Sequence, residues 1–221
     1  MRNMTILLAR LLILLVAVTL TEGGSVEIPL QNFTGKRDVV FILDSSASVG
    51  TENFQIMKNF ARFITRLFTI GKTKTQFGLD VFSTTVTTEI KLNQYNNCES
   101  CLIRRITIAK YKGSLTNTYF ALDHARLNSF SKSYGARTGV PKIAIVMTDG
   151  KSQDKDKTCE SAKDLRDSEV TIMVIPIGSA VDENEIDCIA SRPSFILPVS
   201  NFDGLKKREF RDRVGRQVFS V

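Results

Sequence analysis

Residues 39–50 read VVFILDSSASVG. Five apolar residues run without a break, stop at Asp44, and are followed by Ser45, Ser46 and Ser48 within four positions. An unbroken apolar run of this length suits a strand covered on both faces, as in a parallel sheet. Its end carries a carboxylate and three hydroxyls, so the chain leaves its core on a cluster of oxygens. Asp44, Ser46 and Ser48 stand at alternate positions of that turn. A single serine ahead of a helix is ordinarily a cap, and the meaning of this stretch depends on what the rest of the chain brings to it.

A second apolar run, PKIAIVMTDG (141–150), also ends on an aspartate, Asp149. Between the two lies TENFQIMKNFARFITRLF (51–68), with Phe54, Met57, Phe60, Ala61, Ile64 and Phe68 at three- and four-residue spacing. That spacing predicts an amphipathic helix, with Thr51 as its cap. Strands are expected at 38–44, 76–83, 85–92, 141–150, 170–178 and 194–199, and helices at 51–68, 97–109, 116–130, 159–168, 182–191 and 201–219. Buried strands alternating with helices imply an α/β domain. The connection between 76–83 and 85–92 is too short for a helical crossover, which makes 85–92 an antiparallel edge. The expected fold is a doubly wound, mostly parallel six-stranded sheet with helices on both faces. In such sheets ligands sit at the carboxyl ends of the strands. Asp44 and Asp149 point into one crevice if their strands are neighbours.

The chain has 221 residues. Its first residues combine Arg2 and Arg10 with the apolar run TILLARLLILLVAVTL and then small polar residues. This reads as a secretory signal peptide over 1–22, followed by a lead-in over 23–37 and one domain over 38–221. A secreted chain without a stable membrane span is the expectation. The sequon Asn32-Phe33-Thr34 makes Asn32 a candidate glycosylation site. Four cysteines, Cys98, Cys101, Cys159 and Cys188, allow three pairings, of which 98–101 with 159–188 is favoured. The close pair can alternatively bridge chains. With one histidine, His124, and no second half to the pattern, a zinc site is not expected. Thioredoxin-like chemistry wants its motif after a strand in a reducing setting, and the secretory start argues against that.

The net charge is +7. Lys206, Lys207, Arg208, Arg211, Arg213 and Arg216 concentrate part of it near the end. On a helix they form a wide polar face opposite Leu205, Phe210, Val214, Val218 and Phe219. That face is solvated, or it docks anionic glycans. Nucleic acid is not an expected partner, because no recognition motif accompanies the charge. There is no phosphate-binding Gly-x-x-x-x-Gly-Lys loop, no Gly-x-Gly-x-x-Gly and no Gly-x-Ser-x-Gly elbow. His124 falls inside a predicted helix and is expected at its surface. The chain is therefore expected not to be an enzyme.

Thr116 enters a helix from a separate loop, and with Asp44, Ser46, Ser48 and Asp149 it completes an all-oxygen set containing two acids. Such a set suits a hard divalent cation. DSSAS resembles the Asp-x-Ser-x-Ser signature of the von Willebrand factor type A family. The threonine of GSLTNT and the aspartate of VMTDG occur in the order that family has them. The resemblance extends from about Asp38 to Val221. GKTKTQFGL, LTNT and GRQVFSV look most like collagen-binding integrin I domains and matrix proteins of the matrilin and collagen type.

The resemblance implies a metal-ion-dependent adhesion site (MIDAS) in which Asp44, Ser46, Ser48, Thr116 and Asp149 hold Mg²⁺ or Mn²⁺, with Ca²⁺ as a further option. It also implies that a carboxylate of an extracellular matrix or cell-surface partner completes the shell. Tyr119, Ser114 and Lys151 depart from residues common in the family, so specificity for collagen does not follow from the match. The reading is a secreted adhesion module of the extracellular matrix. The alternative is a structural matrix protein that binds anionic glycans through its basic last helix.

Overall fold

The computed structural model describes residues 32–221. The expected signal peptide (1–22) and most of the lead-in lie outside the described residues. The strands are β1 (Arg37–Asp44), β2 (Thr75–Phe82), β3 (Val86–Ile90), β4 (Lys142–Thr148) and β5 (Val170–Pro176). The helices are α1 (Gly50–Arg66), α2 (Glu99–Ile108), α3 (Thr118–His124), α4 (Lys155–Asp167), α5 (Glu183–Ile189) and α6 (Arg208–Phe219).

The sheet order is β3-β2-β1-β4-β5. β1 pairs in parallel with both β2 and β4, β4 pairs in parallel with β5, and β3 runs antiparallel to β2 as the expected edge. β1 is therefore central, which explains its apolar run. Val39, Phe41 and Leu43 face a core that contains α1, α2 and α6 residues such as Phe60, Ile106 and Val214. Val40 and Ile42 face a second core with Leu122, Leu165 and Ile189 from α3, α4 and α5. The period-two alternation of a strand thus feeds two layers of helices. α6 lies close on α1: a Cβ built at Gly215 would fall 2.5 Å from Leu67 Cδ1.

The sheet has five strands among the described residues, not six. The segment expected as the sixth strand starts as a 3₁₀ turn at Pro193–Phe195 and meets β5 only through isolated bridges, Val174–Ile196 and Ile177–Val199. Pro176 and Pro198 have no N–H to donate, so a continuous ladder cannot form between them. What remains is Leu197 N–H to Val174 O at 2.9 Å, Val199 N–H to Pro176 O at 3.1 Å and Gly178 N–H to Val199 O at 2.9 Å.

Other expectations are also revised. α1 begins at Gly50, ahead of Thr51, and no side chain caps it. α4 begins four residues before Cys159, with Asp154 accepting from Lys157 N–H as its cap. Cys159 therefore lies in the second turn of α4, and Cys188 lies near the end of α5. The helix expected over 116–130 is α3 followed by a π-helical turn at Ala125–Ser129. The disulfides join Cys98 to Cys101 and Cys159 to Cys188. No helix of the described residues is long and apolar enough to cross a membrane.

Candidate metal centre

β1 and β4 are adjacent and parallel, with Leu43 opposite Met147, so Asp44 and Asp149 leave the sheet side by side at the same end. Asp44 is fully buried. Its Oδ1 accepts the Ser46 N–H at 2.8 Å, and its Oδ2 accepts the Thr148 hydroxyl at 2.7 Å. Ser46 and Ser48 hydroxyls lie 3.2 Å apart, and Ser48 Oγ donates to Asp149 Oδ1 at 2.8 Å. Four of the five expected ligands are thus linked by hydrogen bonds, Asp44 through the Ser46 backbone N–H and the rest through side-chain oxygens.

Thr116 is buried and comes from a third segment. Its loop is bound to the turn after β1 by Ala47 N–H to Ser114 O and by Gly113 N–H to Ser45 O, each at 2.8 Å. The Thr116 carbonyl accepts the Gln153 N–H at 2.9 Å, tying it to the chain beyond Asp149. Gly113 adopts φ +69°, a left-handed conformation that costs a glycine little.

Burial raises the Asp44 carboxyl from its ordinary 3.8 to about 6. Donors from Ser46 and Thr148 oppose the rise, and the Asp149 charge adds to it. Burial also raises the Asp149 carboxyl, against the Ser48 hydrogen bond. Two nearby acids, Asp44 buried and Asp149 partly exposed, beside neutral hydroxyls form a place for added positive charge. Among the described residues no group of three or more His, Cys, Asp and Glu side chains comes together. A ligand set here must therefore draw on hydroxyl oxygens. The donors are hard oxygens throughout, which fits Mg²⁺ or Mn²⁺ in kind.

Several supporting residues carried no signal that sequence reasoning used. Thr148, one position before Asp149, holds Asp44. Ser45 Oγ accepts the Lys112 N–H at 2.7 Å, and the Tyr111 hydroxyl donates to Ser46 O at 3.0 Å. Glu185 is buried on α5, where its carboxylate accepts the Ser152 hydroxyl at 2.9 Å and fixes the loop after Asp149. Buried Lys58 on α1 donates to Thr107 O at 2.9 Å and Ala109 O at 3.0 Å, capping α2 where the chain turns toward the site.

The sequence profile of the von Willebrand factor type A domain matches residues 38–211. The chain belongs to the von Willebrand factor type A family. This VWA domain is 37% identical to the human collagen alpha-1(XXI) chain over 205 residues, which is 92% of this chain and 21% of that protein. It is 42% identical to the Xenopus laevis collagen alpha-1(XXI) chain over 161 residues, 73% of this chain and 16% of the relative. With mouse matrilin-2 it shares 35% identity, over 72% of this chain and 16% of the relative. The chain thus spans about a fifth or less of the length of these relatives. Among solved structures, proximal thread matrix protein 1 from the mussel byssus superposes with a TM-score of 0.75 at 29% identity, covering 82% of this chain and 48% of that one. That mussel protein has also been solved with a zinc-occupied MIDAS motif, with the same identity, coverage and TM-score.

The departures from family pattern have visible places in this VWA domain. Tyr119 stacks on Phe120, with ring centroids 4.4 Å apart, and Lys157 Nζ lies 5.5 Å from the Tyr119 centroid. Lys151 is exposed. His124 is not the surface residue expected. Its Nε2 lies 2.7 Å from the Thr88 hydroxyl and 3.8 Å from Oδ1 of fully buried Asp80. Asp80 also accepts from Thr88 and Ser129, the latter carried by the π-helical turn. This network lies between β2, β3 and α3, and its polar groups are paired with one another.

The six basic residues near the end are not equivalent. Lys206 pairs with Asp203, Arg208 lies 3.6 Å from Asp212, and Arg211 Nε donates to Leu205 O at 2.8 Å. Lys207, Arg213 and Arg216 have no carboxylate partner among the described residues. All three line a surface pocket of about 420 Å³ together with Ser200, Glu209 and Phe210.

Proposed function

We propose that this VWA domain is a non-catalytic adhesion module that binds an acidic side chain of an extracellular matrix or cell-surface partner through a divalent cation. Asp44, Ser46, Ser48, Thr116 and Asp149 are the residues that would hold the cation. A bound Mg²⁺ or Mn²⁺ supplies a coordination position that a partner carboxylate can fill. The protein's part is to keep two strand-end carboxylates and their hydroxyls in register and to limit their access to water. The observation that carries this reading is the continuous hydrogen-bonded line from Thr148 through Asp44, Ser46 and Ser48 to Asp149.

The family relatives support a matrix setting, since they are collagens and matrilins. The zinc in the mussel protein supports a divalent cation at a motif of this kind. Immobilised matrix proteins tested in Mg²⁺ and again in chelator examine the reading directly. Binding that is reversed by chelator and absent from Asp44→Ala supports it, and binding indifferent to both contradicts it.

A second reading rests on the pocket lined by Lys207, Arg213 and Arg216. Three cations without carboxylate partners around one concave surface favour an anionic glycan. Such binding is independent of the cation and sensitive to salt.

A further inference from the structure

Cys98 and Cys101 belong to neither core cluster, whereas Cys188 packs against the second one. The loop closed by Cys98–Cys101 has a sequence separation of 3, against 29 for Cys159–Cys188. A cross-link constrains the unfolded chain less when its loop is shorter. This disulfide is therefore the weaker staple of the two. Cys98 is also the N-cap of α2, and its Sγ accepts the Cys101 N–H at 3.2 Å. A thiolate released at that position meets an N–H donor and the positive end of a helix, both of which stabilise it.

Two surface grooves open at the pair. Cys101 lines one of about 580 Å³, whose wall also carries Lys91, Arg104 and Arg105. Cys98 lines the other, of about 550 Å³, together with Arg66. Arg105 is bound to Glu89 at 2.6 Å and Lys91 lies over the Tyr134 ring, but Arg104 and Arg66 have no carboxylate partner among the described residues. Each groove is thus lined by one cysteine of the pair and a guanidinium without a carboxylate partner, and Glu99 also lines the groove of Arg66.

We propose that Cys98–Cys101 is a thiol–disulfide exchange site for an anionic thiol, namely a cysteine-bearing peptide that also carries carboxylates. The incoming thiolate approaches through the groove of Arg104 and attacks Cys101 Sγ. A bond forms between the partner's sulfur and Cys101 Sγ while the Cys98–Cys101 bond breaks. The electron pair of that bond leaves on Cys98 Sγ, where the Cys101 N–H and the start of α2 hold it. The better-stabilised thiolate is the better leaving group. One disulfide replaces another with no net oxidation, and the partner's thiol loses its own proton to solvent. The exchange is stoichiometric and attaches the partner covalently at the start of α2. It requires no cation at the metal centre, so it stands or falls separately from the adhesion reading.

Glutathione, an anionic tripeptide thiol, is the probe. The oxidised chain is equilibrated in buffers of varied reduced-to-oxidised glutathione ratio, quenched with acid, alkylated and read by peptide mass spectrometry. Cys98–Cys101 is expected to open at a ratio about tenfold or more on the oxidising side of that for Cys159–Cys188, with glutathione trapped on Cys101 in preference to Cys98. Arg104→Glu is expected to slow opening by glutathione about threefold or more at low salt, and to slow opening by β-mercaptoethanol, whose thiolate carries no carboxylates, by clearly less. Two disulfides that open at one ratio, or a Cys98–Cys101 bond that opens last, would overturn the proposal. So would an Arg104→Glu chain that reacts with both thiols as the wild type does.

Discussion

Ser48 Oγ donates to Asp149 Oδ1 at 2.8 Å, linking the turn after β1 to the end of β4 across 101 positions of sequence. Ser48 is exposed, and its hydroxyl joins the Ser46 hydroxyl to Asp149. Ser48→Ala removes one proposed cation ligand and the donor to Asp149 while leaving the core untouched. It is expected to weaken Mg²⁺ or Mn²⁺ binding by about tenfold or more, the scale on which metal sites respond to losing a supporting group. Thermal melting in chelator is expected to stay close to wild type, because surface changes rarely move stability by more than about 0.5 kcal/mol. Calorimetry and melting on the same samples separate the two effects.

Thr148 makes the converse case. It is buried, and its hydroxyl donates to Asp44 Oδ2 at 2.7 Å. Thr148→Val keeps the shape of the strand end and deletes the donor. A buried carboxylate that loses a hydrogen bond is expected to cost about 1–3 kcal/mol. Urea unfolding of the chelated chain reads this cost as a lower midpoint at unchanged slope.

Asp44 also makes stability depend on pH. Its folded value of about 6 stands above the ordinary 3.8. Below both values the group is protonated in either state and contributes nothing. Between them the unfolded chain releases its proton and the folded chain keeps it, so stability falls as pH rises. The loss is complete above the folded value and is on the order of 3 kcal/mol. The chelated wild type is therefore expected to lose stability from pH 4 to pH 7 relative to Asp44→Asn, in melts of both chains across that range. Equal slopes for the two would contradict the account. Mg²⁺ is expected to raise the wild-type melting temperature more at pH 7 than at pH 5, because protons compete for the same carboxylate.

Lys207, Arg213 and Arg216 line one pocket, while Lys206 and Arg208 are engaged with neighbouring aspartates. If the pocket holds an anionic glycan, Lys207→Ala with Arg213→Ala lowers the salt needed to elute the chain from heparin. Lys206→Ala, which removes a paired and exposed cation, has a smaller effect. Equal shifts for equal charge removed would mean that only the net charge is being read.

The centre of the fold was legible in the sequence because β1 and β4 are covered on both faces, β1 ending on Asp44 and β4 running directly into Asp149. Such strands leave a continuous apolar run followed by a polar stop. The antiparallel edge was legible from the short link between β2 and β3. The expected sixth strand was not realised, because hydrophobicity marks burial and not hydrogen bonding. Phe195, Leu197 and Val199 are buried as a strand's residues would be, yet prolines interrupt the ladder.

The five oxygen residues of the candidate site could be named from their order in the chain and a family resemblance. Its supports could not be. Glu185 and Lys58 act through contacts between elements that lie far apart in sequence. His124 was misjudged as a surface residue because nothing in the helix pattern around it announces that Asp80, from a fully buried strand, lies within reach.

The central claim is that Asp44, Ser46, Ser48, Thr116 and Asp149 form a divalent-cation site. A calorimetric titration of the chelator-stripped chain with Mg²⁺ and Mn²⁺, run beside Asp44→Ala, tests it most directly. Saturable binding of one cation per chain that disappears in Asp44→Ala is the predicted result. Binding of the same strength in both chains would contradict the claim, as would no binding by a wild-type chain that nevertheless binds a carboxylate-bearing partner in the presence of chelator.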